Sequence, residues 1–159
     1  MSTQVTSPRA RIVVGVDGSE QSKLALRWAQ SLAAGLGASI DAVAVWQIPT
    51  AYGWSVVPND WNPELDTEKS LAVAVDEVFG AQRPDDLRLL VRQGNAAQVL
   101  LSVSDGATML VLGSRGHGGF KGLLLGSVSA NCAEHAHCPV LVVHGDRAPE
   151  SFTPSPPAS

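Results

Sequence analysis

The apolar positions of this chain change period along its length, and each change marks an element. Ile12–Val16 (IVVGV) is a short unbroken apolar run rich in β-branched side chains. Such a run predicts a strand covered on both faces, as in a parallel sheet. It ends at Asp17-Gly18-Ser19, a turn whose serine is placed to cap a helix. From Glu20 to Leu36 the apolar positions Ala25, Trp28, Ala29, Leu32 and Leu36 follow helical spacing, and Gly35 and Gly37 are expected to stop that helix. Ile40–Trp46 (IDAVAVW) predicts a second strand, so the chain opens on a βαβ unit.

Gln47–Asn62 loses the rhythm and carries Pro49, Tyr52, Gly53, Trp54, Pro58 and Trp61. A connection this long inside a compact domain is commonly functional or mobile; its aromatic side chains read more simply as staples to the core than as a lid. Asn62-Pro63-Glu64 restarts a helix, with a cap, a proline at the first helical position and an acid in the first turn. Leu71, Val75, Val78 and Phe79 give it a buried stripe. In Leu87–Arg92, Leu87, Leu89 and Val91 alternate with Arg88 and Arg92, which predicts a third strand at a sheet edge. Gly94-Asn95 begins a short helix with Val99, Leu100 and Val103 on its apolar face, closed at Asp105-Gly106. Thr108–Leu112 predicts a buried fourth strand, Ser127 to His135 a helix, and Val140–Val143, after Pro139, a fifth strand.

Five strands alternating with four helices describe an α/β fold: a single-domain, doubly wound, open and mostly parallel five-stranded sheet with helices on both faces. The expected boundaries are an N-terminal tail at 1–10, a globular domain at 11–144 and a disordered tail rich in proline and serine at 145–159. No half-domain repeats.

Composition narrows the partners. Of 159 residues 45% are hydrophobic and 16% charged, which excludes disorder for most of the length. The net charge is -4 and no basic stripe is present, which argues against nucleic acid. No apolar run reaches the ~18 residues that cross a bilayer, and Met1 to Arg11 lacks the apolar centre of a signal peptide. The two cysteines do not form a secreted disulfide framework. A cytoplasmic protein with no membrane contact is the expectation.

Candidate chemistry concentrates after the fourth strand. Between Gly113 and Gly126 six glycines separate a strand from a helix. Glycine lets backbone N–H groups approach an anion without a Cβ in the way, and the N–H groups opening the next helix favour a phosphate. Ser127 and Ser129 add hydroxyls, and Arg115 and Lys121 add charge. The loop is not a Walker A motif, because no Gly-Lys-Ser/Thr follows a four-residue spacer, and the fingerprint of dinucleotide folds is absent after the first strand.

Gly113, two residues, Gly116, nine residues and Gly126-Ser127 match the G-2x-G-9x-G-(S/T) pattern of the ATP-binding branch of universal stress proteins. The flanks IVVGVDGS, MLVLGSRGHGG and CPVLVV also resemble that family, so the similarity runs from Arg11 to His144. The resemblance implies a Rossmann-like parallel sheet of order 3-2-1-4-5. It implies that Gly113, Gly116, Gly126 and Ser127, with the backbone of Val128, hold the triphosphate and ribose of ATP. Asp17 would face the ribose or a Mg2+ ion, and the backbone of Val45 would meet adenine. It further implies a homodimer formed by the fifth strands, Val140–Val143, and a regulatory, stress-response role in which ATP is a conformational ligand.

Other residues invite weaker readings. Asp17 also suits a plain turn. Cys132, His135, His137 and Cys138 lack the usual zinc spacing, and Cys132 reads as a small buried apolar residue. Ser114, His117 and Asp105 do not sit in a G-x-S-x-G elbow. A weak Mg-dependent ATPase or nucleotide transferase using Asp17 is the enzymatic alternative, although no general base is evident. A phosphorelay receiver fails, since the third strand ends in Arg92-Gln93-Gly94 rather than an acceptor aspartate.

Overall fold

The computed structural model describes residues 9–48, 60–116 and 125–150. Five parallel strands form one sheet: β1 (Arg11–Gly15), β2 (Ser39–Trp46), β3 (Leu87–Gln93), β4 (Met109–Gly113) and β5 (Val140–Val143), in the order β3-β2-β1-β4-β5. The helices between them are α1 (Glu20–Leu36), α2 (Pro63–Phe79), α3 (Ala96–Val103) and α4 (Ser127–His135), and a 3-10 turn, Gly80–Gln82, extends α2. The doubly wound sheet of order 3-2-1-4-5 is therefore present.

Period-two alternation on the central strands sorts side chains onto two covered faces. Ile12, Val14, Ile40, Ala42 and Ala44 pack with α1 and α2. Val13, Val43, Leu110 and Leu112 pack with Ala97 and Leu100 of α3 and Cys132 of α4. Because both faces are covered, β1 and β4 read as unbroken apolar runs.

The caps follow the sequence closely. Ser19 Oγ accepts from Ser22 N–H at 3.2 Å, Asn62 Oδ1 from Leu65 N–H at 3.1 Å, and Asn95 Oδ1 from Gln98 N–H at 3.1 Å. Gly37 closes α1 in the left-handed region at φ 64°. Gly35, expected to stop the helix, lies inside it, and Leu36, expected on the apolar stripe, is 51% exposed. The buried stripe runs instead through Ser22, Leu24, Ala25, Leu26, Ala29 and Ala33. Leu36 sits in the last turn, past the end of that stripe.

β3 is an edge strand, as its arginines indicated, and both Arg88 and Arg92 are exposed. Tyr52 and Trp54 lie outside the described residues, while Trp46 and Trp61 are half-buried. Residues 145–150, assigned to the C-terminal tail, run against α1: Gly145 O accepts from Gln21 Nε2 at 2.6 Å and Arg147 O from Trp28 Nε1 at 3.1 Å. Among the described residues no helix is long and apolar enough to cross a membrane.

Candidate nucleotide site

In sheet order β1 lies between β2 and β4, so the chain winds away from it in both directions. A crevice therefore opens at the carboxyl ends of β1 and β4, the place where open α/β sheets take ligands. A cavity of about 570 Å3 fills it, within the ~300–1,000 Å3 range of small-ligand sites. All seven residues singled out from the sequence line this cavity: Asp17, Val45, Gly113, Gly116, Gly126, Ser127 and Val128.

Their local roles differ. Val43 O accepts from Val16 N–H at 2.8 Å, and the amides of a parallel strand alternate in direction. Two residues on, Val45 therefore turns its N–H and C=O toward the same side, beyond Gly15, the last β1 residue in register. Val45 and Ala96 wall the cavity on the β2–α3 side, with Leu100 beneath them. Asp17 is both a turn residue and a cavity residue. Its Oδ1 accepts from Ser19 N–H at 2.9 Å and from Ser19 Oγ at 2.5 Å. A Cβ on Gly116 would collide with the other Asp17 oxygen, so glycine there lets the loop pass over the carboxylate.

Two glycines owe their place to packing. A Cβ on Gly113 would lie 2.8 Å from Gln21 Cβ and 2.9 Å from its carbonyl carbon, so glycine here admits the first turn of α1. On Gly15 it would lie 2.6 Å from Leu112 Cδ2, within the floor of the cavity. Gly126 donates its N–H to Ser114 O at 2.6 Å. Ser127, Val128 and Ser129, which open α4, also line the cavity, and as first-turn residues their N–H groups have no intrahelical acceptor. Gly126, at the cap of α4, has no side chain to cap it. The Ser129 hydroxyl, expected to reach a ligand, is buried and donates to Ser114 O at 2.9 Å, with Gly126 O at 3.1 Å.

Some cavity residues escaped the sequence reading. Gly15 was taken as part of an apolar strand, and only its fit against Leu112 and Leu100 reveals it. Arg115, outside the chosen set, lines the cavity and is the one cation among the described residues that do. Asp17 is the one carboxylate among them. His117 and Lys121 lie outside the described residues.

The rival constellations come apart. Asp105 O bonds Arg11 Nη2 at 3.2 Å at the amino end of β1, whereas Ser114 follows the carboxyl end of β4. Cys132 is fully buried with its thiol directed at Ala97 O, 3.8 Å away, while His135 and His137 are exposed. Among the described residues no three His, Cys, Asp or Glu side chains gather as a metal site.

Comparison with known proteins agrees with this geometry. The model of the universal stress protein family matches residues 8–144. A universal stress protein of Mycolicibacterium smegmatis is 33% identical over 143 residues, 85% of this chain and 48% of that protein. One of Mycobacterium tuberculosis is 33% identical over 153 residues, 91% of this chain and 52% of its own length. The chain spans about half the length of these curated relatives. Among solved structures, a universal stress protein in complex with cAMP superposes with TM-score 0.65 at 27% identity, covering 87% of this chain and 99% of that one. The fold alone is shared with a universal stress protein of Archaeoglobus fulgidus solved with dAMP, at TM-score 0.63 and 21% identity over 87% of this chain and 100% of that one. With the family's model spanning nearly all of the sheet and its helices, this chain belongs to the universal stress protein family.

Proposed function

We propose that this chain binds an adenine nucleotide, ATP, in the crevice at the ends of β1 and β4, and uses it as a conformational ligand rather than a substrate. The observation that carries this reading is the junction of cavity and helix start: a space of about 570 Å3 lined by Ser127, Val128 and Ser129, the first turn of α4, whose amides lack intrahelical acceptors. The phosphates would lie on Gly116, Ser127 and Val128, beside Gly113 and Gly126, with Arg115 offsetting their charge. The ribose would meet Asp17, and adenine would meet the Val45 backbone against Val43 and Leu100. The relative solved with cAMP supports the adenine nucleotide class.

Asp17 fits a Mg2+ ion in the manner usual for nucleotide sites, as a single carboxylate acting together with substrate phosphates. Such an ion would supply charge neutralisation between the phosphates. The chain's own residues do the rest: the α4 amides orient the phosphates, and the apolar wall excludes water from the base.

The edge strand β5 pairs only with β4 among the described strands and leaves Val140, Leu141 and Val142 half-buried. We read it as the seam of a homodimer. Light scattering of the wild type and of Val142→Glu tests this: dimer and monomer are expected, respectively.

Native mass spectrometry and calorimetry with ATP test the site. Uptake of one ATP per chain is expected, and a protein that takes up no adenine nucleotide at millimolar concentration defeats the reading. Single-turnover hydrolysis assays separate a binding protein from a slow Mg-dependent ATPase. Turnover abolished by Asp17→Ala would favour the enzyme.

A further inference from the structure

The second residue of α1, Gln21, faces the loop that follows β4. Ser114 Oγ donates to Gln21 Oε1 at 3.1 Å, and Gln21 Nε2 donates to Gly145 O at 2.6 Å. A primary amide suits this place, because one end accepts while the other donates. The Gln21 backbone also presses on Gly113, whose missing Cβ makes the approach possible.

Ser114 is in turn the hub of the loop. Its N–H donates to Val143 O at 2.7 Å, and its carbonyl accepts from Gly126 N–H at 2.6 Å and from Ser129 Oγ at 2.9 Å. The start of α4, whose first residues line the cavity, is therefore hung on Ser114. Further along α1, Trp28 Nε1 holds Arg147 O at 3.1 Å. Gln21 and Trp28 together keep the segment after β5 along this helix.

We infer that Gln21 is a positioning residue for the cavity, and that residues 145–150 set ligand affinity through it. The segment orients the Gln21 amide, the amide orients Ser114, and Ser114 places Gly126 and the first turn of α4. The inference rests on the nucleotide-binding reading above and goes beyond it by giving the chain after β5 a part in affinity. The coupling is reciprocal: ligand on the α4 amides tightens the segment as much as the segment tightens the ligand.

Calorimetry with MgATP on the full chain, paired with hydrogen exchange, tests it. Gln21→Glu keeps an acceptor for Ser114 but sets an oxygen against the Gly145 carbonyl. Trp28→Phe removes the indole N–H that holds Arg147 O while keeping an aromatic, smaller side chain at that place, so it carries the test if Gln21→Glu folds poorly. Each is expected to weaken ATP binding by about two- to tenfold, the worth of one hydrogen bond, with less than multiplicative loss when combined. In the wild type, ATP is expected to slow exchange of the amides at 145–150, and in Gln21→Glu to leave it unchanged. A purely structural role for Gln21 would not move that second readout. Affinities within about twofold of wild type, with exchange indifferent to ATP, overturn the inference and leave the nucleotide site standing. A wild-type chain that takes up no ATP overturns both.

Discussion

Asp41 and Arg88 stand opposite one another in the β2–β3 register, and the guanidinium grips the carboxylate with both prongs: Nε to Oδ1 at 2.8 Å and Nη2 to Oδ2 at 2.7 Å. Arg11 Nη1 adds a third bond at 3.3 Å and ties Val103 O at 3.0 Å, fastening the end of α3 to the same carboxylate. Asp41 is fully buried, whereas the Arg88 side chain is 64% exposed. A carboxylate is tolerated at that depth because three hydrogen bonds from two guanidinium groups offset its desolvation.

This cluster predicts an acid-sensitive stability. Burial works to raise the Asp41 pKa, but the bonds and charge of Arg88, then of Arg11, outweigh it and hold the carboxyl below the usual carboxylate range. A folded-state pKa below the unfolded one means stability that is complete above about pH 4 and lost as pH falls through the depressed value. Asp41→Asn is expected to cost about 1–3 kcal/mol at neutral pH and to flatten that acid limb. Urea titrations between pH 2.5 and 6, about the range where carboxylates titrate, check both.

The glycines predict a ranking. Gly113→Ala drives a Cβ into Gln21 backbone atoms that have nowhere to go, and is expected to lower stability by about 2–3 kcal/mol. Gly126→Ala meets nothing closer than Ser114 O at 3.4 Å, an ordinary contact, and is expected to fold as well as the wild type. Gly116→Val must displace the Asp17 carboxylate, the end of a side chain rather than backbone, and is expected to lower the melting temperature less than Gly113→Ala while weakening ATP about tenfold or more. Thermal melts and calorimetry across the three variants read the order directly.

Arg115 predicts a dependence on phosphate number. As the one cation among the described residues of the cavity, it should weigh more on ATP than on AMP. Arg115→Ala is expected to weaken ATP about tenfold and AMP by less, and to lessen the loss of ATP affinity with added salt. Affinities for the two nucleotides at two salt concentrations test this.

The two thiols should differ sharply. Burial, with Cys138 nearby, pushes the Cys132 thiol up to about 11. The folded value lies above the ordinary thiol value of 9.0, so stability from the neutral thiol is complete below that pH and lost as pH climbs through about 11. At neutral pH a thiol reagent is expected to modify Cys138 in the native protein and Cys132 only after unfolding, countable by absorbance with and without denaturant.

Element boundaries were largely legible because apolar period and caps agreed, as at Ser19 and at Asn62-Pro63. The strand order was not read from the pattern; it followed from the family resemblance. Leu36 misled because spacing says which side chains share a face, not how far the sheet beneath extends. Within the cavity the glycine loop stood out by composition, but what each glycine serves did not. Gly113 admits a helix turn and Gly116 clears a carboxylate, and only coordinates separate those demands. Gln21 was invisible for the same reason, as a polar residue in a first helical turn whose partners lie 93 and 124 positions away. Asp41 carried a faint signal, being a lone acid within an otherwise apolar strand.

The Arg11–Asp41–Arg88 cluster occupies the amino pole of the strands and the cavity their carboxyl pole, with Asp41 and Val45 about 13 Å apart along β2. Substitutions that distant, sharing no partner, act additively. The molecule therefore offers an engineer two independent dials: one pole can be hardened against heat or acid while the other is rebuilt for a new ligand, without either project undoing the other.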